Sequence, residues 1–354
     1  MKQEPQILTS DRIIYFDCLK IFATLAVMIL HVSSYNWYSV DVISLEWQIF
    51  NFFDSIVRWC VPIFVMISGA LFLDKECDIK KLYTKNILRI ITAFIFWSIL
   101  YALVNLAQGD TLSSAIVQIV KGHYHMWFLF MIVGLYIIVP FAKKITESDV
   151  LIKYFLVLSL IFTFIIPECI SVLSFVDEAI GNAAGDIAEK INFHFTLGYL
   201  SYFILGYYLS KVDLSGKIRR LIYILSFLGF VSTITMSSFA SLYRNEATGI
   251  FYEYFTINVM LESIGVFVFF KYTIPKIIIN KNLKNIILKL SKYSLGAYLV
   301  HAMVIEQLNN IGGLNTLSFN SVLAIPVITS IVFIVSFSIS LILNHAPILK
   351  KYIV

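Results

Sequence analysis

Two side chains capable of acid–base chemistry lie inside the first apolar stretch of the chain, "FDCLKIFATLAVMILHVSSYNW" (residues 16–37). Lys20 and His31 are eleven residues apart, so in an α-helix they lie about 20° from the same face, with a rise of about 16 Å between them. This spacing suits a long ligand with an anionic head near Lys20 and a reactive tip near His31. The alternatives are that Lys20 snorkels or pairs with Asp17, and that His31 hydrogen-bonds a neighbouring carbonyl group.

A second apolar stretch, "RWCVPIFVMISGALFL", contains Arg58. Ionisable residues inside membrane spans are costly and usually mark a functional site or a paired interior contact. Arg58 is therefore a candidate for binding or catalysis, and the alternative is a structural ion pair with Asp54 or Glu262. The Ser68–Gly69 pair in the same stretch permits close helix packing.

Histidines recur in two later stretches. "GHYHMWFLF" contributes His125 and Trp127, and "SKYSLGAYLVHAMVIEQL" contributes His301. His31 and His125 fall in the same half of their predicted spans, so they could share one site, and Glu262 adds a carboxyl group within its own span. Together these residues predict a polar cavity, although Trp127 also suits an interfacial aromatic belt and His301 also suits bundle packing.

The elements that must position these residues are membrane helices. The chain has 354 residues, of which 59% are hydrophobic and 14% charged, and its mean hydropathy is +0.84. A soluble domain has about 25% charged residues, so this composition predicts an all-α, polytopic membrane helical bundle. We expect one domain over residues 1–354. About ten transmembrane helices are predicted, near residues 14–35, 46–73, 87–107, 125–142, 154–167, 195–210, 221–240, 254–271, 293–309 and 321–344.

The distribution of basic residues predicts the orientation of the spans. Of the 27 Lys and Arg residues, three (Lys121, Lys190 and Arg244) lie in one set of loops and two (Lys20 and Arg58) lie inside spans, which leaves 22 on the other side. Cytoplasmic loops are enriched in Lys and Arg, so both termini are expected in the cytoplasm and the protein in the cell inner membrane. The net charge of +5 then reflects contact with the anionic lipid bilayer, and no nucleic-acid partner is expected.

Two features outside this pattern remain. The longest loop on the sparsely charged side, residues 168–193, is expected to form either a short helix over the outer mouth or a solvated loop. The four cysteines show no C-x-x-C pair and no histidine partner at ligand spacing, so no metal is expected.

Four motifs resemble the acyltransferase-3 family of integral membrane acyltransferases: "DCLKIFATLAVMILH", "VPIFVMISGALFL", "HMWFL" and "YSLGAYLVH". Their order and spacing extend the resemblance over nearly the whole chain. The "SxxRxxVPxFxMISG" form resembles family members that O-acetylate the GlcNAc-containing enterobacterial common antigen. The family's Arg-x10-His pair falls on Lys20 and His31, and the lysine is a departure because it lacks the bidentate guanidinium group.

The resemblance implies transfer of an acyl group, usually acetyl from acetyl-CoA, to a hydroxyl of an extracytoplasmic or lipid-linked sugar of a cell-surface polysaccharide. Combined with the residues above, it gives a mechanistic hypothesis in which His31 is the general base, or carries the acyl group transiently. Arg58, His125 or Trp127 would frame the acceptor or stabilise the oxyanion, with Glu262 and His301 in support. The expected acyl-CoA site consists of Lys20, Lys85, Arg89 and Ser68.

Other function classes remain open from the residues alone. A multi-pass transporter or flippase for a glycan intermediate or an organic anion is the main alternative, although the two halves of the chain show no convincing internal repeat. A structural or sensory subunit would not need Lys20 and His31 on one stripe. A homo-oligomer is left open.

Overall fold

The computed structural model describes residues 13–191, 198–277, 280–346 and 349, and within these ranges the regular structure is helical. The helices are α1 (Ile14–Ser33), α2 (Leu45–Ser55), α3 (Cys60–Phe72), α4 (Ile79–Lys81), α5 (Leu88–Ala107), α6 (Leu112–Lys121), α7 (Trp127–Thr146), α8 (Asp149–Ser159), α9 (Ile166–Val176), α10 (Glu178–Ile191), α11 (Leu200–Lys211), α12 (Gly216–Arg244), α13 (Ile257–Thr273), α14 (Lys281–Gly312) and α15 (Ser321–Leu343). π-helical turns at Leu82–Ile87 and Leu160–Ile165 join α4 to α5 and α8 to α9. The prediction of an all-α membrane bundle is confirmed.

Eight continuous helical segments of the described chain are long and apolar enough to cross a membrane. Helices also occupy the two remaining predicted spans. One is α11, which is shorter than a helix needs to be to cross a membrane. Part of the predicted range of this span, residues 195–197, lies outside the described residues. The other is the apolar half of α14, whose first half carries several lysines. The chain is thus a multi-pass membrane protein.

The fifth span extends further than the sequence predicts. The segment 168–193, expected to be either a short helix or a solvated loop, is helical in its described part: the span Asp149–Val176 continues through residue 176, and α10 follows. Glu168 is drawn into the bundle, where its carboxylate accepts a hydrogen bond from the Ile257 amide at 2.9 Å. That amide is one of the unpaired donors at the start of α13, so the carboxylate caps the helix.

The second predicted span is broken near its middle. The backbone forms turns between α2 and α3, and Arg58 lies in this break. Irregular backbone inside a membrane protein is tolerated where it is buried within the bundle. Here Trp59 is buried and its indole N–H donates to the Ile56 carbonyl at 2.7 Å, which satisfies one of the freed groups.

Glycines allow a close contact between α3 and α11. A Cβ atom added to Gly69 would lie 1.8 Å from the Phe203 carbonyl oxygen, and one added to Gly206 would lie 2.1 Å from the Met66 carbonyl oxygen. The two backbones therefore touch at positions where only glycine fits, as small residues allow in membrane bundles. The close packing expected at Ser68–Gly69 is thus present, and α3 is held against α1 on its other side.

Candidate functional site

A cavity of about 790 Å³ lies between α1, α3, α5, α7 and α14. This volume falls within the range of small-molecule and cofactor pockets, about 300–1,000 Å³. The four residues predicted to bind acyl-CoA all line it: Lys20, Ser68, Lys85 and Arg89. Lys20, Ser68 and Arg89 belong to three different predicted spans and Lys85 precedes the third, so their convergence on one cavity is a property of the fold.

Four basic side chains line the cavity. Lys292 on α14 joins Lys20, Lys85 and Arg89, so four positively charged residues line the same space. Ser68 is hydrogen-bonded to Tyr136, another lining residue. Clustered basic groups of this kind form charge-assisted hydrogen bonds with phosphate oxygens.

Aromatic side chains occupy the part of the cavity nearest the histidines. Phe64, Phe128 and Tyr298 line the cavity and contact one another, with ring centroids 5.7–6.4 Å apart. The Tyr298 hydroxyl donates to the backbone carbonyl of His125 at 2.5 Å. Tyr298 therefore stands between the cavity and the histidines, which are not among the described residues that line it.

Three histidines predicted from separate spans meet beyond this tyrosine. The ring centroid of His301 lies 5.1 Å from that of His31 and 5.0 Å from that of His125. His125 and His301 are almost fully buried, and the Nε2 atom of each has no hydrogen-bond partner within the described chain. Buried polar atoms are nearly always hydrogen-bonded, so these two nitrogens are sites for a bound molecule or water. We call His31, His125 and His301 the histidine cluster.

The cluster continues toward the surface through two residues outside the predicted site. His123 Nδ1 lies 3.0 Å from His125 Nδ1, and His123 Nε2 lies 2.9 Å from the Glu306 carboxylate. Tyr101 stacks on the His123 ring at a centroid distance of 4.2 Å. The H-x-H motif and the placement of Glu306 five residues after His301 were the signals in the sequence. Spacing alone does not show that α14 and the turn before α7 bring these residues together.

Arg58 has the structural partner considered from the sequence. It forms an ion pair with Asp54, one helical turn earlier, and its guanidinium group lies 3.9 Å from the centroid of the Tyr252 ring. Its charge also acts on His31 and Glu262. Arg58 is thus fixed in the break between α2 and α3, within electrostatic reach of the histidine cluster.

The two other predicted residues lie in different surroundings. Trp127 is 38% exposed and stacks among Tyr199 and Tyr254, with centroids 5.8 and 5.9 Å away. Glu262 is fully buried and accepts a hydrogen bond from Thr233, which places it between α12 and α13. The structure therefore brings together His31, His125 and His301 but positions Glu262 in a helix–helix contact.

In the part of the chain that the structure describes, no group of three or more His, Cys, Asp or Glu side chains is arranged to hold a metal ion.

Comparison with known proteins identifies one family. The model of acyltransferase family 3, described as an acyltransferase domain, matches residues 13–343, nearly the whole chain. No curated protein and no solved structure matches the chain significantly.

Proposed function

Because the chain belongs to the acyltransferase-3 family, and is thus a membrane acyltransferase, we propose that it transfers a short acyl group from acyl-CoA to a sugar hydroxyl. Acetyl-CoA is the proposed donor. The acceptor is an extracytoplasmic or lipid-linked sugar of a cell-surface polysaccharide. The observation that carries this proposal is the basic cavity that ends at Tyr298, directly beside the histidine cluster.

The cavity matches the chemistry of coenzyme A. Its basic wall of Lys20, Lys85, Arg89 and Lys292 suits the phosphate groups, which are the anionic end of the donor. The remaining wall is largely apolar and suits the pantetheine arm. Lys20 and His31 share α1 at a rise of about 16 Å, so the thioester of a donor bound by Lys20 would point toward His31.

The proposed reaction needs one general base, which also returns the proton to the leaving thiolate. His31 accepts the proton of the acceptor hydroxyl while the hydroxyl oxygen bonds to the acyl carbon. The C–S bond then breaks, and the departing thiolate takes the proton from His31. In a variant of this scheme His31 first carries the acyl group itself.

The aromatic wall must open for this reaction. Phe64, Phe128 and Tyr298 separate the cavity from the histidine cluster, so the pantetheine arm reaches His31 only when these rings shift. Such a barrier would also keep water from the thioester until the donor is seated.

The charge distribution supports an assignment of sides. The basic residues of the cavity belong to the predicted cytoplasmic end of the bundle, where acyl-CoA is available. Both termini are then cytoplasmic, in the inner membrane of a bacterial cell. On the opposite side, the "SxxRxxVPxFxMISG" form around Arg58 suggests a GlcNAc-containing acceptor like that of the enterobacterial common antigen enzymes.

Binding and transfer assays on the purified protein test the proposal. Acetyl-CoA should bind in detergent, and substitution of two basic residues together (Lys85→Ala with Arg89→Ala) should weaken binding. Turnover of radiolabelled acetyl-CoA to an acetylated glycan supports the enzyme. A protein that ignores acyl-CoA but moves glycan across vesicles would instead support the transporter alternative.

A further inference from the structure

The residues Glu306, His123 and His125 form one continuous row of polar contacts, which we call the imidazole row. The Glu306 side chain is 25% exposed and His123 is buried, so the row leads from the protein surface to the buried Nε2 atom of His125. The mechanism above uses neither Glu306 nor His123. An incompletely paired buried polar network is costly, and the Nε2 atom at the inner end of this row is the unpaired one.

The direction of each hydrogen bond follows from which atoms carry protons. An ionised Glu306 offers only acceptor oxygens, so in its pair with His123, where Nε2 lies 2.9 Å from the carboxylate, the hydrogen lies on that nitrogen. In a neutral His123 the Nδ1 atom is then an acceptor, and His125 Nδ1, 3.0 Å away, must donate. A neutral His125 of this kind has its lone pair on Nε2, for which the described chain offers no hydrogen-bond partner of normal geometry. The Leu299 carbonyl is a second acceptor beside the His125 ring and competes with His123 for its hydrogen. The competing arrangement, with the hydrogen on Nε2, is the outcome that the NMR measurement below would detect.

His301 has the same tautomer, fixed by a different contact. Its Nδ1 atom contacts the backbone carbonyl of Tyr298, which can only accept, so the hydrogen of a neutral His301 lies on Nδ1. Its Nε2 is again a buried acceptor without a partner in the described residues. Two neighbouring rings, 5.0 Å apart, thus offer lone pairs. Such a pair suits a molecule with several O–H donors and does not suit a carbonyl, a carboxylate or an oxyanion.

We propose that Glu306 and His123 are positioning residues that hold His125 in the tautomer whose Nε2 accepts a hydrogen bond from a hydroxyl of the acyl acceptor. This inference rests on the proposed function for the identity of the ligand. It assigns His125 to the recognition of a polyol, with His301 accepting from a second hydroxyl. It also excludes the oxyanion-stabilising role considered for His125 from the sequence.

The surroundings hold the imidazole row in place. Tyr101 stacks on His123, and the Tyr298 hydroxyl fixes the His125 backbone. The negative charge of Glu306 acts on Tyr35 as well, where it adds to burial in raising the pKa of that phenol. These contacts come from α5, α14 and the segment after α1, so neither ring is free to flip without disturbing its neighbours.

The tautomer is measured directly by ¹⁵N NMR of histidine-labelled protein in detergent. The chain has six histidines, and a His125→Gln variant assigns the signal of interest. We expect His125 to carry its hydrogen on Nδ1 in the wild-type protein. In Glu306→Gln, where the charge is lost at nearly constant shape, we expect a mixture of tautomers. A wild-type His125 with its hydrogen on Nε2 would overturn the inference, and so would an unchanged spectrum in Glu306→Gln.

Kinetics provide the second readout. Glu306→Gln should lower kcat for transfer by about 10- to 100-fold, by analogy with the loss of outer-shell groups that orient metal-bound histidines, with KM for acyl-CoA unchanged. The matched control is Gln307→Ala, the next residue on α14, whose side chain hydrogen-bonds Gln108 instead. Equal kcat in wild type and Glu306→Gln would contradict the inference. If the wild-type protein transfers no acyl group, the proposed function fails, while the NMR result still decides the tautomer.

Discussion

Substitution of Gly69 by alanine should destabilise the bundle and damage the donor cavity. The new Cβ atom would lie 1.8 Å from the Phe203 carbonyl oxygen, whereas Cβ contacts below 3.0 Å are essentially never seen, so α3 and α11 must separate by about 1.2 Å. Because the obstacle is backbone, we place the cost near the upper end of the overpacking range, about 3 kcal/mol. Alanine regains about 1 kcal/mol of helix propensity, which leaves a net loss of about 2 kcal/mol.

The chain provides a matched control for this substitution. Gly134 lies within α7 and has no atom within 4 Å of its added Cβ, so Gly134→Ala keeps the helix-propensity gain without the clash. Thermal unfolding in detergent, followed by loss of the monodisperse peak, compares the two variants with wild type. We expect a lower midpoint and weaker acyl-CoA binding for Gly69→Ala only, since Ser68 lines the cavity. Equal midpoints for both variants would refute the account of this helix contact.

Three further outcomes are expected. Lys20→Ala should weaken acyl-CoA binding about tenfold or more in equilibrium titrations, and Lys20→Arg should restore it, because both side chains supply a charged donor to phosphate; equal affinity for all three proteins would contradict the donor assignment. Asp54→Asn should lower the unfolding midpoint. Breaking a fully buried ion pair costs about 3–5 kcal/mol, and because the Arg58 side chain is 15% exposed this range is an upper limit here. The additional substitution Arg58→Met should recover part of the loss, and an additive double mutant would argue against the pair. Chelation with EDTA should leave acyl transfer unchanged in a rate assay, whereas inhibition reversed by added metal would show a metal dependence that the histidine cluster does not suggest.

The positions of the helices could be predicted because apolar runs and backbone pairing in lipid admit few alternatives. Details that depend on tertiary contacts could not. The break around Arg58 lies inside a continuous apolar stretch, and the extension of the fifth span through Glu168 depends on a partner 89 residues away. Neither the break nor the Glu168 contact can be read from local hydropathy.

The candidate site was partly predictable for a similar reason. Depth in the membrane and helical period place Lys20 and His31 on one stripe, and depth alone brings His31 and His125 to one level. Depth does not give the direction in which a helix faces. For this reason it could not predict that Glu262 lies against α12 and not in the histidine cluster. The contact between His123 and Glu306 likewise depends on how α14 packs against the start of α7.

The most direct test of the central claim is transfer of radiolabelled acetyl from acetyl-CoA by the purified wild-type protein and by His31→Ala. We expect turnover by the wild type and its loss in the variant, with acyl-CoA binding retained because Lys20, Lys85 and Arg89 are untouched. Full activity in His31→Ala would contradict the assignment of His31 as the base or acyl carrier.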